Sequence, residues 1–272
     1  MSNASPKVAL VTGAGGGIGA VIAARLLRDG YTVYGTTRKV DPPRSMAPGI
    51  AMRSLDVRDD QAIAALVDGV LREAGRIDVL VNNAGAMLAG AIEETSLAEA
   101  KDLFDTNFFG AMRATTAVLP HMRAARRGRI IFISSVLGFL PAPFMGVYGA
   151  TKRAIEGYAE TLDHEVRDFG IRSILIEPSF TATKLVENQR EAAQRLEDYA
   201  SVRNRVLRKF ADDTRQGGTP ESVAEAVLTA ALATVPKLRY PVGAAKSLSR
   251  LRRFVPAGMF EKSFRQRFAL ET

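Results

Sequence analysis

Thr12-Gly13-Ala14-Gly15-Gly16-Gly17-Ile18-Gly19 is the segment from which the rest of the chain can be ordered. Ahead of it lies Val8–Val11, a short apolar run of the kind that forms a buried strand. Behind it, residues 18–28 carry apolar side chains at helical spacing. Glycines at such a strand-to-helix turn allow positive φ and let main-chain N–H groups approach a pyrophosphate at a helix N-terminus. The spacing is Gly-x-x-x-Gly-x-Gly, not Gly-x-Gly-x-x-Gly. A purely structural tight turn would use the same residues. The strand–turn–helix context, at the head of a βαβ series, favours a dinucleotide.

The series continues to the end of the chain. Strand patterns at residues 31–37, 50–55, 77–81, 129–134 and 171–177 alternate with longer helical ones. Asp59-Asp60-Gln61 opens a helix striped by Ile63, Leu66, Val67, Val70 and Leu71. Residues 97–122 and 148–169 are helical in pattern, and Thr219-Pro220-Glu221 places a cap and an N1 proline before a helix ending near Val235. Such alternation predicts an α/β fold of three layers, a Rossmann-like, doubly wound parallel sheet with helices on both faces. Without a linker or repeat, residues 1–272 are expected to form one dinucleotide-binding domain. Residues 184–216, charged and helix-prone, sit where a substrate lid would be inserted, and residues 246–272 make a basic tail.

Composition narrows the chemistry. The 272 residues are 47% hydrophobic and 24% charged, enough to bury a sizeable core. The absence of cysteine removes disulfides, zinc–thiolate sites, iron–sulfur clusters and a thiol nucleophile. His121 and His164 are the only histidines, so no His-rich metal site is expected, and both fall on helix patterns as surface or packing residues. No apolar run reaches the roughly 18–20 residues of a membrane span, and no secretory core opens the chain. A reducing, cytoplasmic setting is expected. The net charge is +8, but seven cations against Glu261 alone lie between positions 246 and 268. The body is therefore near neutral, no nucleic-acid partner is indicated, and the tail's charges are expected to form a solvated helix face.

About twenty residues past the glycines, a carboxylate at the end of the second strand would bind a ribose 2′-hydroxyl. Thr36-Thr37-Arg38-Lys39 stands there instead. A neutral residue followed by two cations suits a 2′-phosphate, held by charge-assisted hydrogen bonds. Two solvated loop cations are the alternative. Asp56-Val57, after the third strand, lies where an adenine would rest, its carboxylate able to accept from the exocyclic amine.

Further on come Asn82-Asn83-Ala84-Gly85 after the fourth strand, Asn107 in the next helix, Ser134-Ser135 after the fifth strand, and Tyr148-Gly149-Ala150-Thr151-Lys152. With the glycine turn, these closely resemble the short-chain dehydrogenase/reductase family in its Tyr-x-x-x-Lys branch. The resemblance runs from about residue 7 to 178 with every landmark in order, and more loosely to 243. It implies Tyr148 as catalytic acid/base, Lys152 as its partner, Ser135 as the hydroxyl orienting the carbonyl, and Asn107 as anchor of a proton relay. Ser135 is preferred over Ser134 because it lies thirteen residues before the tyrosine, as in the family. The cofactor positions implied are Gly13, Gly15, Gly17, Ile18, Gly19, Thr37, Arg38, Asp56, Val57, Asn83, Ala84, Gly85, Tyr148, Lys152, Pro178, Thr181 and Thr183. Where the family has proline–glycine after the sixth strand, this chain has Pro178-Ser179, so that loop is expected to sit differently. Of the two threonines, Thr183 matches the family's spacing better.

The chemistry also follows from the residues themselves. Tyr148 and Lys152 are four apart on a helix, hence on one face. A free tyrosine has a pKa of about 10, and a nearby ammonium would lower it toward working pH. Ser135 can hydrogen-bond the substrate oxygen as charge develops. The flanking segments are apolar: Leu88, Phe139, Phe144 and Phe180 are, with Ser135, the candidate substrate contacts. The expected reaction is hydride transfer between NADP(H), with NAD(H) as alternative, and an apolar ketone or secondary alcohol. The layout resembles the subgroup acting on steroid-, retinoid- or lipid-like carbonyls. A 3-oxoacyl-thioester reductase and a non-catalytic dinucleotide sensor or scaffold are the alternatives. Long apolar stripes on residues 111–122 and 148–166 exceed what one sheet face needs, so a homodimer or homotetramer is expected.

Overall fold

Apolar runs without polar alternation become strands covered on both faces, and helices with one apolar stripe become the covers. The computed structural model describes residues 5–38, 47–181, 189–268 and 270. Strand β1 (Val8–Val11) is buried at every position. It pairs in parallel with β2 (Thr32–Thr37) on one side and β4 (Val79–Asn82) on the other, Ala9 lying opposite both Val33 and Val79. Beyond them lie β3 (Ala51–Ser54), β6 (Gly128–Ile133), β7 (Ile171–Pro178) and β9 (Arg239–Val242), and every pair is parallel. The order is β3-β2-β1-β4-β6-β7-β9. It reverses beside β1, which opens a crevice at the carboxyl ends of β1 and β4.

Helix α1 (Gly17–Arg28) packs Ile22 and Leu26 against one face of this sheet, beside Val223 and Val227 of α7 (Pro220–Leu232). The other face is covered by α2 (Asp60–Ala74), α4 (Gly110–Ala124) and α5 (Gly146–Val166). Each fully buried Ile or Leu in these layers stabilises the fold by roughly 1.5–3 kcal/mol. The three-layer α/β expectation therefore holds. Asp59 caps α2 by accepting from Ala62 N at 3.0 Å. Thr219 takes the N-cap position of α7, with Pro220 following, but its side chain makes no cap bond.

The expected helix over 97–122 is a composite. Helix α3 (Leu97–Phe104) runs without interruption through one π-turn, Asp105–Phe109, into α4. A π-turn leaves the α ladder one residue out of step, and such bulges collect at functional sites.

At the carboxyl end of the sheet a third apolar cluster joins the strand ends to the last third of the chain. Residues Leu88–Ala89 (β5) pair with Arg190–Glu191 (β8), and α6 (Ala200–Arg215) buries Val206 and Phe210 there. Helices α8 (Ala245–Phe254) and α9 (Ala257–Arg267) follow. Phe260 and Phe268 are buried in the cluster, while Arg252 stacks over the Phe260 ring at 4.9 Å. The tail is thus not a solvated face alone. Most of its cations are exposed, while a phenylalanine stripe at i, i+4, i+8 docks it onto the core. His121 and His164 are exposed on α4 and α5. Among the described residues, no helix is long and apolar enough to cross a membrane, and no cluster of ligating side chains suits a metal.

Candidate active site

The crevice is built from the end of β1. Thr12, directly before the first glycine, is buried, and its Oγ1 accepts from Asn83 N (3.0 Å) and Ala84 N (3.1 Å). Asn83 Nδ2 donates back to Thr12 O at 2.9 Å and Gly13 O at 3.2 Å. The glycine turn and the 83–85 loop are therefore one unit. Gly13 and Gly17 have φ of 68° and 54°, where a side chain is strained. A Cβ on Gly19 would overlap Gly13 O and Asn83 Nδ2, and one on Gly13 would meet Ala84 Cα at 2.9 Å. Around Gly16 and Gly17, by contrast, there is open space. The N-terminus of α1 has no side-chain cap and no acid in its first turn. Close packing behind and open amides in front fit an anionic pyrophosphate, with Ile18 half-buried beside it.

Thr37 abuts this turn, since a Cβ on Gly15 would lie 2.6 Å from its Oγ1. Arg38 is exposed at the end of β2, and Lys39 lies outside the described residues. The Asp56 carboxylate is drawn below its ordinary pKa, chiefly by hydrogen bonds from Arg58, with Arg38 adding attraction. Arg58 bridges Asp56 at 2.7 Å to Asp102 at 2.8 Å. The carboxylate expected to accept from an adenine is thus already engaged within its own loop. Val57 is buried with Leu55 and Ile63. Its side chain also fills the space over Gly110, so it faces the core and leaves its main chain for any ligand.

Asn107 sits inside the π-turn, buried. Its Oδ1 accepts from Ala86 N (2.8 Å), and its Nδ2 donates to Ala86 O (3.0 Å) and Thr151 Oγ1 (3.1 Å). Thr151 in turn donates to Tyr148 O at 2.7 Å. Gly85 leaves room for this amide, as a Cβ there would stand 3.3 Å from Asn107 Oδ1. Asn107 thereby clamps the 83–86 loop to the helix that carries the tyrosine.

Ser135 caps the short turn Val136–Gly138, its Oγ accepting from Leu137 N at 3.2 Å. It also hydrogen-bonds Tyr148. Lys152 Nζ lies 5.6 Å from the centre of the tyrosine ring and donates to Ile133 O at 2.9 Å. Burial raises the Tyr148 phenol to about 12, and the Ser135 bond only partly opposes this. Burial lowers the Lys152 ammonium to about 8, with the nearby Glu156 carboxylate opposing. The expectation that the ammonium brings the phenol down is therefore not met in the protein by itself. Desolvation dominates the phenol, and the Lys152 ammonium is held on a main-chain carbonyl.

Leu88, Phe139, Phe144 and Phe180 all join Tyr148 in the third apolar cluster. Phe180 packs edge-on against Phe210 at 4.9 Å, and Phe144 against Tyr199 at 6.1 Å. Phe144 has φ of 62°, a strained conformation for an aromatic residue, next to the cluster it helps to line. Pro178 ends β7, Ser179 N donates to Val242 O at 3.2 Å, and Thr181 Oγ1 donates to Ser179 O at 3.0 Å. Gly243 accommodates the serine that replaces the family's glycine, since a Cβ there would come within 2.6 Å of Ser179 Oγ. Thr183 lies outside the described residues.

Thr12, Thr36 and Thr151 were not singled out by sequence reasoning. Thr36 Oγ1 accepts from Gly13 N at 3.2 Å and is buried. Their one signal was position: each lies within or beside a motif already quoted.

Comparison with known proteins agrees with this geometry. The short chain dehydrogenase family model matches residues 7–194. A 3-ketodihydrosphingosine reductase of Bacteroides thetaiotaomicron is 35% identical over 269 residues, covering 97% of this chain and 99% of that protein. Retinol dehydrogenase 8 of Homo sapiens is 35% identical over 256 residues, covering 87% of this chain and 81% of its own length. Among solved structures, a metagenomic short-chain oxidoreductase in complex with NADP superposes with a TM-score of 0.70 at 30% identity, covering 89% of this chain and 98% of that one.

Proposed function

The chain belongs to the short-chain dehydrogenase family, and from that premise we propose that it moves hydride between NADP(H) and an apolar ketone or secondary alcohol of steroid-, retinoid- or lipid-like character. The observation that carries this reading is the meeting of Ser135, Tyr148 and Lys152 at the edge of the apolar cluster of Leu88, Phe139, Phe144 and Phe180. The relatives named for a sphingoid ketone and for retinol support an apolar substrate.

When bound, the reduced nicotinamide supplies the hydride to the carbonyl carbon. Tyr148, protonated at neutral pH, donates its phenolic proton to the carbonyl oxygen. Ser135 Oγ donates a hydrogen bond to that oxygen and holds it in line. The Lys152 ammonium stabilises the phenolate left behind and would hold the ribose hydroxyls of the bound dinucleotide. Asn107 keeps the tyrosine helix and the 83–86 loop in register. The glycine turn, with Asn83, Ala84 and Gly85, receives the pyrophosphate side of the dinucleotide. Arg38 would hold the 2′-phosphate, Thr37 adding no repulsion, and Pro178 and Thr181 would hold the nicotinamide end.

Residues 189–216, including α6, act as the described part of the substrate lid, and the chain functions as one domain. It assembles as a homodimer or homotetramer through α4 and α5. Phe109, in the π-turn that leads into α4, and Met112 of α4 are 44% and 40% exposed and support this. The deciding experiment is a panel of apolar ketones and alcohols followed by nicotinamide absorbance, on wild type and on Tyr148→Phe. Turnover of lipid-like ketones by wild type alone is expected. Equal turnover by both proteins sinks the catalytic assignment, and turnover by neither leaves a dinucleotide-binding sensor.

A further inference from the structure

Directly beyond Lys152 lies a buried ionic cluster that the reaction as described does not use. Glu156 is one helical turn along α5 and only 5% exposed. Ser134 Oγ donates to its Oε1 at 2.8 Å, and Arg239 of β9 donates to its Oε2 at 2.8 Å. Arg239 also binds Glu177, at the end of β7, and Glu160 of α5 at 2.8 Å. Glu177 is 2% exposed, and burial holds its carboxyl up near 7 against the attraction of Arg239. Gly138 completes the enclosure, since a Cβ there would overlap Glu156 Oε1 outright.

Two elements that carry the site meet at this carboxylate, α5 with Tyr148 and Lys152 and the Ser134–Ser135 turn, and Arg239 of β9 joins them to Glu177 of β7. We propose that Glu156, oriented by Ser134 and Arg239, is a positioning residue that sets an opposite charge one helical turn from Lys152 and holds the Ser135 turn against Tyr148. The inference rests on the roles given above to Tyr148, Ser135 and Lys152. A buried ammonium four residues away on the same helix gains from an opposite charge in a poorly screened interior. Burial drives Lys152 toward its neutral form, and among the described residues Glu156 is the charge that opposes this. The other titratable and charged groups around the pair are Tyr148 and Glu160 from α5, Glu177 from β7 and Arg239 from β9. Arg239 spreads its charge over three carboxylates, so Glu156 is not neutralised by a dedicated partner. The hydrogen bond from Ser134, one residue before Ser135, passes the carboxylate's position to the catalytic turn.

Glu156→Gln keeps the shape and an oxygen to accept from Ser134, and removes the charge. Its expected effects are a downward move of the Lys152 titration by about one pH unit, read by NMR on protein carrying isotope-labelled lysine, and an earlier loss of kcat as pH rises. At pH 7.5 a one-unit drop from about 8 leaves roughly a third of the ammonium, so kcat should fall roughly threefold with KM nearly unchanged. A Lys152 titration identical to wild type overturns the proposal, however much the melting temperature falls. Because that titration needs no turnover, it stands even if wild type reduces none of the ketones, a result that would fail the proposed function and not this inference. Should Glu156→Gln not fold, Ser134→Ala removes one hydrogen bond and no charge. A roughly fivefold loss of kcat with unchanged Lys152 titration supports the positioning role, and unchanged kcat overturns it.

Discussion

Lys152 Nζ donates to the carbonyl oxygen of Ile133 at 2.9 Å, which ties the lysine on α5 to the last residue of β6. The lysine is thereby held beside the tyrosine ring and not on its hydroxyl, and its desolvation is the dominant electrostatic fact of the site. A group buried at this cost is expected to be spent on function and not on stability.

Lys152→Met should therefore raise stability at pH 7 by about 3 kcal/mol while abolishing turnover. The sign follows from the depressed pKa, about 8 in the fold against an ordinary 10.5. Below pH 8 both folded and unfolded chains hold the proton, and the full cost of burying the ammonium is present. Between 8 and 10.5 the folded chain releases it first, so the cost shrinks and the gap between variant and wild type closes. Urea unfolding of both proteins across pH 7 to 10.5 checks this; a Lys152→Met protein less stable than wild type at pH 7 contradicts it.

Tyr148→Phe should lower kcat by roughly 10²–10⁴-fold. Dinucleotide affinity, measured by fluorescence titration, should remain within about threefold, because the phenolic proton is needed in the transition state and not to hold the cofactor. Near-normal kcat would remove Tyr148 from the chemistry.

Wild type should prefer NADP(H). A charge-assisted contact from Arg38 contributes roughly 1.5–3 kcal/mol, or about ten- to a hundredfold in affinity. Thr37→Asp/Arg38→Ala should reverse the ratio of kcat/KM for the two cofactors. A wild-type preference for NAD(H), or a ratio indifferent to the double change, rules the clamp out.

Gly138→Ala should destabilise the fold by about 1–3 kcal/mol, since its Cβ falls on Glu156 Oε1 and stands 2.8 Å from Ser134 Oγ. Thermal melts measure the loss. A melting temperature equal to wild type would mean that the Glu156 side chain moves aside freely.

In sedimentation at micromolar concentration the chain should run as a dimer or tetramer, and Phe109→Glu should shift it toward monomer. A monomer in the wild type would refute the assembly through α4 and α5.

The alternation of six strands with helices, the glycine turn and the Tyr148–Lys152 spacing were legible in the residues alone. Each depends on local periodicity or local backbone freedom: apolar runs for β1 and β6, positive φ at Gly13 and Gly17, a four-residue step along one helix. Other features depended on groups far apart in the chain. The π-turn at Asn107 is invisible in a helical pattern, because one extra residue in the ladder leaves the apolar spacing almost unchanged. Desolvation reversed the expected shift of Tyr148, which is buried in a cluster that gathers residues from β5 to the tail. Arg239 meets Glu156 across 83 residues, and nothing in either segment's composition announces the other. Spacing along the chain determines which groups share a helix face or a turn. Desolvation and long-range ion pairing belong to the fold, because they depend on what closes over those groups from elsewhere.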